Sequence, residues 1–403
     1  MTNAGDAVAR LVRDEGTRVL ATLIRVTGSV DVAQDATQDA VVRALQSWSG
    51  DGVPDNPRAW LLVTAKRRAI DILRREARRA GKEAEAMITD AMITDAEPAG
   101  DDLLRLVFTC CHPALAVEAQ VALALRTLGG LSTAEVARAL LVPEPTMAKR
   151  LTRAKQKIAQ ARIPYRVPPD DELPARLAGV AATVYLIFNE GYAAGSGEAL
   201  VRVALTAEAL RLARMLADLM PDEPTVLGLL ALLLLHDSRR AARLDAAGRP
   251  VLLADQDRSR WQAGSIKEGV SLVGRALRRS PSPNSYVLQA AIAACHALSP
   301  SYAATNWDAV VSWYDVLLTV EDTPVTRLNR AVAVSERDGP AAALSLVDAI
   351  EGLSAYPWWH ATRAELLRRL GRADEARTAY ENALAQNLSA PQADHLRRRL
   401  TDL

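Results

Sequence analysis

The stretch from Leu131 to Ala161, LSTAEVARALLVPEPTMAKRLTRAKQKIAQA, constrains the fold of this chain more than any other. Ser132 and Glu135 stand at the spacing of a capping box, in which hydroxyl and carboxylate each satisfy an open backbone N–H at a helix start. Val142-Pro143 stops that helix, since proline lacks an N–H and forces its predecessor out of the helical region. Pro145 suits the first turn of the next helix. Val136, Ala137, Leu140 and Leu141 are expected to point inward from the first helix. On the second, Met147, Leu151, Ala154 and Ile158 recur at spacings of four, three and four, an apolar stripe. Thr146, Lys149, Arg150, Arg153 and Lys157 fall on the other side. A helix that packs on one face and offers cations and a hydroxyl on the other is what major-groove recognition requires. A solvated basic helix in a bundle would carry the same charge run; the capping box, the short turn and the split of faces together favour DNA.

The chain balances 49 Lys+Arg against 48 Asp+Glu, so any nucleic-acid contact must come from local patches. With only two Phe and an abundance of Leu, Ala and Arg, the composition predicts an all-α protein. Its 403 residues are enough for two or three domains. Three cysteines, Cys110, Cys111 and Cys295, make no disulfide framework and suggest a reducing compartment. The first residues, MTNAGDAVARLVRDEG, lack the apolar segment of a signal peptide. The longest apolar run, Val226 to Leu235, is too short to span a bilayer. A cytoplasmic protein without membrane contact is expected.

Residues 6–26 and 31–48 read as helices, broken by Gly28-Ser29, with Asp31 as the cap of the second. Val32, Ala36, Val41, Leu45 and Trp48 are expected to pack, opposite a polar side that includes Asp31, Gln34, Asp35, Gln38 and Asp39. A Gly- and Pro-containing loop, Ser49 to Asp55, follows, and Asn56-Pro57 restart a helix as cap and first-turn residue. That helix, PRAWLLVTAKRRAIDILRREARR, has an expected inner face of Leu62, Ala65, Ala69, Ile72 and Leu73. Trp60, Thr64, Arg67, Asp71, Arg74 and Arg78 form a stripe beside it. Cations neutralise phosphates, and an exposed tryptophan can stack on an unpaired base; equally, Trp60 can be a core residue.

An acidic helix, DVAQDATQDAVVRAL, then NPRAWLLVTAKRRAIDILRRE, then the helix-turn-helix: these motifs, in this order over residues 1–162, resemble extracytoplasmic-function (ECF) sigma factors of bacterial RNA polymerase. The resemblance implies that residues 1–80 are sigma region 2, which grips core polymerase and the −10 promoter element. It implies that residues 103–162 are region 4, which reads the −35 element. Asp31, Asp35, Gln38 and Asp39 match positions that meet the polymerase clamp. The loop from Ser47 to Asn56, with Asp55 and Asn56, falls where the family captures a flipped −10 base. Trp60, Lys66, Arg67, Asp71, Arg74 and Arg75 align with its −10 surface. Thr146, Lys149, Arg150, Arg153 and Lys157 are expected at −35. The residues themselves agree, since a flipped base needs a polar pocket and a melted strand needs cations and a stacking surface.

Residues 81–102 are acidic, contain the tandem MITDAMITDA and read as a mobile linker. Leu103 to Leu128 complete the second module, with Val121, Ala124, Leu125 and Leu128 inward. Cys110-Cys111-His112 lacks zinc-ligand spacing, which favours packing over a metal, with thiol redox sensing as a remote alternative.

Residues 163–174 read as a Pro/Asp-rich linker, and 175–403 as a further helical domain. Its expected helices are 175–194, 199–220, 223–241, 261–280, 284–298, 305–320, 324–338, 341–351, 355–370, 373–387 and 391–401. Gly339, Ala343, Val347, Ile350 and Gly371, Ala376, Tyr380, Ala383 share a four-and-three spacing, and Ala343 and Ala376 lie 33 positions apart, close to the tetratricopeptide period. Such a surface is expected to dock a regulatory protein. Two polar clusters, Phe188-Asn189-Glu190-Gly191-Tyr192 and His236-Asp237-Ser238-Arg239-Arg240 with Asp255, Asp257, Arg258 and Trp261, read chiefly as interhelical networks. No nucleophile, phosphate-loop or metal motif accompanies them. The expectation is a non-enzymatic sigma factor without cofactor or metal, partnered by core RNA polymerase and promoter DNA and regulated by its C-terminal domain. The alternatives are a stand-alone helix-turn-helix regulator, and an enzyme or small-molecule sensor housed in residues 175–300.

Overall fold

The computed structural model describes residues 4–79, 102–140, 142–161, 163, 165–169, 171–192, 203–246, 248–386, 388 and 390–403. The linker read at 81–102 therefore lies outside the described residues except for Asp102, and Leu141 lies outside them as well. Helices dominate what is described; the only β pairing there is an isolated bridge between Leu244 and Pro250. The chain divides into two compact units, 1–187 and 188–403, and the division falls inside the helix Leu173–Tyr192.

The first unit opens with three helices, Ala4–Thr27, Val30–Asp51 and Pro57–Arg79, packed on one another. Gly28, at φ 66°, turns the chain between the first two. Ser29, not Asp31, caps the second helix, its hydroxyl accepting the N–H of Val32 at 3.3 Å. That helix also runs on through Asp51, so its loop begins at Gly52 rather than Ser49. Its buried face is Val32, Ala33, Ala36, Ala40, Ala44 and Trp48, with Leu45 43% exposed. Alanines line this seam because small side chains let neighbouring helices approach closely. Leu61, Ala65 and Ala69 are the buried residues of the third helix.

Four helices follow: Asp102–Cys110, Val117–Thr127, Thr133–Ala139 and Glu144–Gln160. Phe108, Val121, Ala124, Leu125 and Leu128 form their sealed core. The helix Leu173–Tyr192, as far as Ile187, joins it through Leu177, Val180, Ala181 and Val184. Gly179 passes so close that a Cβ there would lie 2.0 Å from Gln120 Oε1. Cys110 and Cys111 are buried, each sulfur 3.4 Å from a threonine hydroxyl, Thr127 and Thr183. Burial pushes the Cys110 thiol up to about 12 and raises Cys111 as well, so both stay protonated and unreactive.

The second unit is built around Pro224–Asp237, which contains the long apolar run. A helix apolar all round has to be buried all round, and Val226 to Leu235 are sealed on every side. The helices Val203–Leu219, Ala263–Arg279 and Ser285–Leu298 enclose it. Gly228 allows the closest approach: a Cβ there would sit 2.7 Å from the backbone nitrogen of Val287. Gly228→Ala is thus expected to destabilise this unit by about 1–3 kcal/mol, despite alanine's better helix propensity, as a lower urea midpoint would register. Toward the C-terminus come Trp307–Val320, Pro324–Arg337, Pro340–Asp348, Pro357–Arg369, Ala373–Leu384 and Ala390–Thr401. Ala343, Val347, Ala376, Tyr380 and Ala383 share one buried cluster, as their spacing predicts, and Gly339 and Gly371 turn the chain at φ 92° and 75°.

Candidate nucleic-acid and polymerase interfaces

The helix-turn-helix is built by the features that announce it, with the capping box opening its first helix, Thr133–Ala139, and Pro143 and Pro145 opening its second, Glu144–Gln160. Ser132 N–H donates to the Glu135 carboxylate at 2.7 Å, and Glu135 N–H donates to the Ser132 hydroxyl at 3.2 Å. Met147, Leu151 and Ala154 are buried beneath it. Thr146, Lys149, Arg153 and Lys157 are exposed, and Arg150 is half-buried. Four cations thus lie along a face with no carboxylate of its own beyond Glu144 in the first turn. That arrangement can engage phosphate and base edges together.

Between the second and third helices of this unit, Asp55 and Asn56 are exposed, and the Asn56 side-chain oxygen caps the helix by accepting Ala59 N–H at 3.0 Å. Arg67, Asp71 and Arg75 are exposed along the third helix, with Lys66 and Arg74 half-buried beside them. Trp60 serves the core in part: its ring lies edge-on to Trp48 at 5.3 Å, at the margin of the cluster formed by Val8, Ala44 and Trp48, and it stays half-exposed.

Asp31, Asp35, Gln38 and Asp39 are all exposed on the second helix. Two of them are engaged. Asp39 pairs with Arg68, and Asp31 accepts a 2.8 Å bond from Lys155, which also reaches Gln34 at 2.6 Å. Sequence reading passed over Lys155, because its position on the helix-turn-helix says nothing about which distant surface it meets. The same unit holds a largely buried ion pair, Arg25 to Asp102 at 2.8 Å, and Tyr165, whose hydroxyl donates to the carbonyl of Asp102 at 2.6 Å. The segment read as a linker at 163–174 is therefore pinned at Tyr165 and buried at Ile163 and Pro168.

In the second unit, His236 and His296 are held far below the ordinary histidine value of 6.5. Burial is the main cause and neighbouring arginines the next, which brings them to about 3 and about 4. Arg239 and Arg243 face His236, while Arg239 and Arg258 face His296. The unfolded chain then binds protons below pH 6.5 that the folded chain refuses, so this contribution is complete above 6.5 and is lost as pH falls toward 4 and 3. The thermal midpoint of this unit is expected to drop between pH 7.5 and about pH 5, above most carboxylate titration, and His296→Gln should flatten that drop.

An all-helical chain with an N-terminal three-helix module and a helix-turn-helix module has the build of a transcription-initiation factor of the sigma-70 class. Comparison with known proteins agrees: Sigma-70 region 2 matches residues 11–79, Sigma-70 region 4 matches 105–158, and a family of unknown function (DUF6596) matches 176–277. The chain belongs to the ECF sigma factor family, in a form carrying this C-terminal extension. It is 43% identical over 396 residues to an uncharacterized protein of Rhizobium meliloti, an alignment covering 96% of this chain and 93% of that one. It is 28% identical over 152 residues to the probable ECF RNA polymerase sigma factor SigI of Mycobacterium tuberculosis, covering 36% of this chain and 52% of SigI. Against the ECF RNA polymerase sigma factor SigK of Mycobacterium ulcerans, identity is 29% over 154 residues, 36% of this chain and 80% of SigK. Among the described residues, no helix is long and apolar enough to cross a membrane.

Proposed function

We propose that this chain is a cytoplasmic, non-catalytic promoter-specificity subunit, which binds core RNA polymerase, engages the −10 and −35 elements and leaves the chemistry to the polymerase. The observation that carries this reading is the split of the helix Glu144–Gln160 into a buried stripe and a cationic face. Thr146, Lys149, Arg150, Arg153 and Lys157 read the −35 element. Asp55, Asn56, Trp60, Lys66, Arg67, Asp71, Arg74 and Arg75 bind the −10 element, and Asp31, Asp35, Gln38 and Asp39 meet the polymerase. The C-terminal unit regulates these modules, with its repeat helices as the docking surface for a regulatory protein. Run-off transcription with purified core enzyme tests the reading. Failure to bind core polymerase in a pull-down, with retained affinity for duplex DNA, would point instead to a stand-alone regulator.

The contact of Lys155 with Asp31 and Gln34 bears on how the subunit is engaged. Elements about 25 base pairs apart are separated by about 85 Å of duplex, so one molecule reaches both only with its two DNA-binding modules drawn apart. The arrangement in the first unit is then a closed form in which region 4 covers part of the polymerase-binding helix. Asp31 is 69% exposed, so the pair is weak, on the order of 1 kcal/mol or less. Lys155→Ala should strengthen association with core polymerase, by no more than about fivefold, in a surface-binding measurement.

A further inference from the structure

Arginines of the second unit mostly end on carboxylates: Arg214 on Glu268, Arg279 on Asp222, Arg327 on Asp322, Arg363 on Asp348, Arg369 on Glu336. Arg239, Arg243 and Arg258 depart from that pattern: Arg239 and Arg243 share the Tyr192 ring, and Arg258 flanks His296 together with Arg239. Arg243 stacks over the Tyr192 ring at 3.5 Å and donates to the Tyr192 carbonyl. Arg239 lies 5.9 Å from the same ring, with its guanidinium 3.3 Å from His236 Nδ1. Arg258 spends one nitrogen on the carbonyls of His296 and Ser299, at 2.5 and 2.7 Å, and stacks on Trp261 at 4.5 Å. Among the described residues no carboxylate lies within ion-pair distance of any of the three; the adjacent Asp237 turns to Arg240 at 3.5 Å.

Gathering three guanidiniums without a counter-charge is costly, because half-buried like charges repel and lose hydration. Both histidines nearby are neutral, so they add no positive charge but can donate or accept. Several donors are also left over: Arg258 Nη2, His296 Nδ1 and the Tyr192 hydroxyl are buried and have no hydrogen-bond partner. Arg239, Arg243, Arg258, His236, His296 and Tyr192 are each half-buried, so the cluster as a whole still reaches solvent. The Tyr192 ring also stacks on Phe188 at 5.3 Å, which steadies the platform.

We propose that this cluster binds a small phosphorylated anion, its phosphoryl group held by Arg239, Arg243 and Arg258. A guanidinium fork matches both carboxylate and phosphate. Three fixed positive charges favour the phosphoryl group, which carries close to two negative charges and three acceptor oxygens, over a monocarboxylate. The site lies in the part of the chain whose family is of unknown function, apart from His296 in the helix beyond it. It stands independently of the promoter-binding surfaces.

Calorimetric titration of the full chain at pH 7.5 and fixed ionic strength tests this, with inorganic phosphate and glycerol 3-phosphate as probes and succinate as a dicarboxylate control. Saturable one-to-one binding of either phosphate probe is expected, and the tighter of the two tells whether the site takes the free ion or an ester. Arg243→Gln should weaken it about tenfold or more. Should the glutamine variant fail to fold, Arg243→Lys and Arg258→Lys keep the charge, lose the fork and should each still weaken binding severalfold. No saturable binding of either phosphate probe, succinate binding as tightly as both, or folded variants that bind like the unaltered chain would each overturn the proposal. Because binding is read directly, the outcome does not depend on sigma activity.

Discussion

Arg150→Ala and Arg153→Ala, combined, are expected to reduce run-off transcription from the cognate promoter by about 100-fold or more while leaving affinity for core polymerase unchanged. Each arginine that meets a base edge or phosphate contributes on the order of 1–3 kcal/mol, and two such losses compound when the contacts are separate. The fold should tolerate the change: Arg153 is exposed and Arg150 half-buried, while Met147, Leu151 and Ala154 keep the helix in place. Core affinity should hold because Asp31, Asp35, Gln38 and Asp39 lie on a different helix. If the double variant loses core binding instead, these side chains do not belong to the −35 surface. The salt dependence of promoter binding gives a second readout, since each lost phosphate contact lowers the slope by about one unit.

Removing the C-terminal region should have two very different results, depending on where the chain is cut. A chain ending before residue 170 loses Leu173, Leu177, Val180, Val184 and Ile187, all buried in the first unit. At about 2 kcal/mol for each large aliphatic side chain, the loss approaches 10 kcal/mol, the whole stability of an ordinary domain. It also leaves Cys111 and Gln120 facing solvent where Thr183 and Gly179 had covered them. That truncation is expected to yield unfolded region 4, with no cooperative transition and no transcription. A chain ending at residue 192 keeps this helix and should melt cooperatively. Its promoter activity then measures the regulatory contribution of the second unit, and an activity equal to that of the full chain would remove that role.

Much of this was legible because it is local. The capping box, the prolines and the four-three-four stripe specify the helix-turn-helix within about thirty residues, and hydrogen bonds from Ser132 and Glu135 realise it. The eleven helices expected after residue 174 match those observed to within a few residues at their ends, since helical periodicity survives without knowledge of neighbours. Errors fell where a neighbour decided. Val41 packs at the edge of the core as its size predicts, but Leu45 is exposed, because the close helix seam selected Ala40 and Ala44. Trp60 could not be assigned to core or surface until Trp48 was seen beside it. The cap moved from Asp31 to Ser29 because backbone geometry, not residue type alone, chooses between adjacent candidates.

The amino-acid sequence by itself determined the helices, their buried stripes and the motif order that places this chain among ECF sigma factors, because those properties depend on residues within one or two turns of each other. Tertiary structure alone decided what meets what: that Lys155 reaches Asp31 across 124 positions, that the helix Leu173–Tyr192 belongs to the first unit as far as Ile187, and that Arg239 and Arg243 gather at Tyr192 without carboxylates. Such pairings follow from how helices pack, and packing is set by the shape of whole surfaces, which no local spacing encodes.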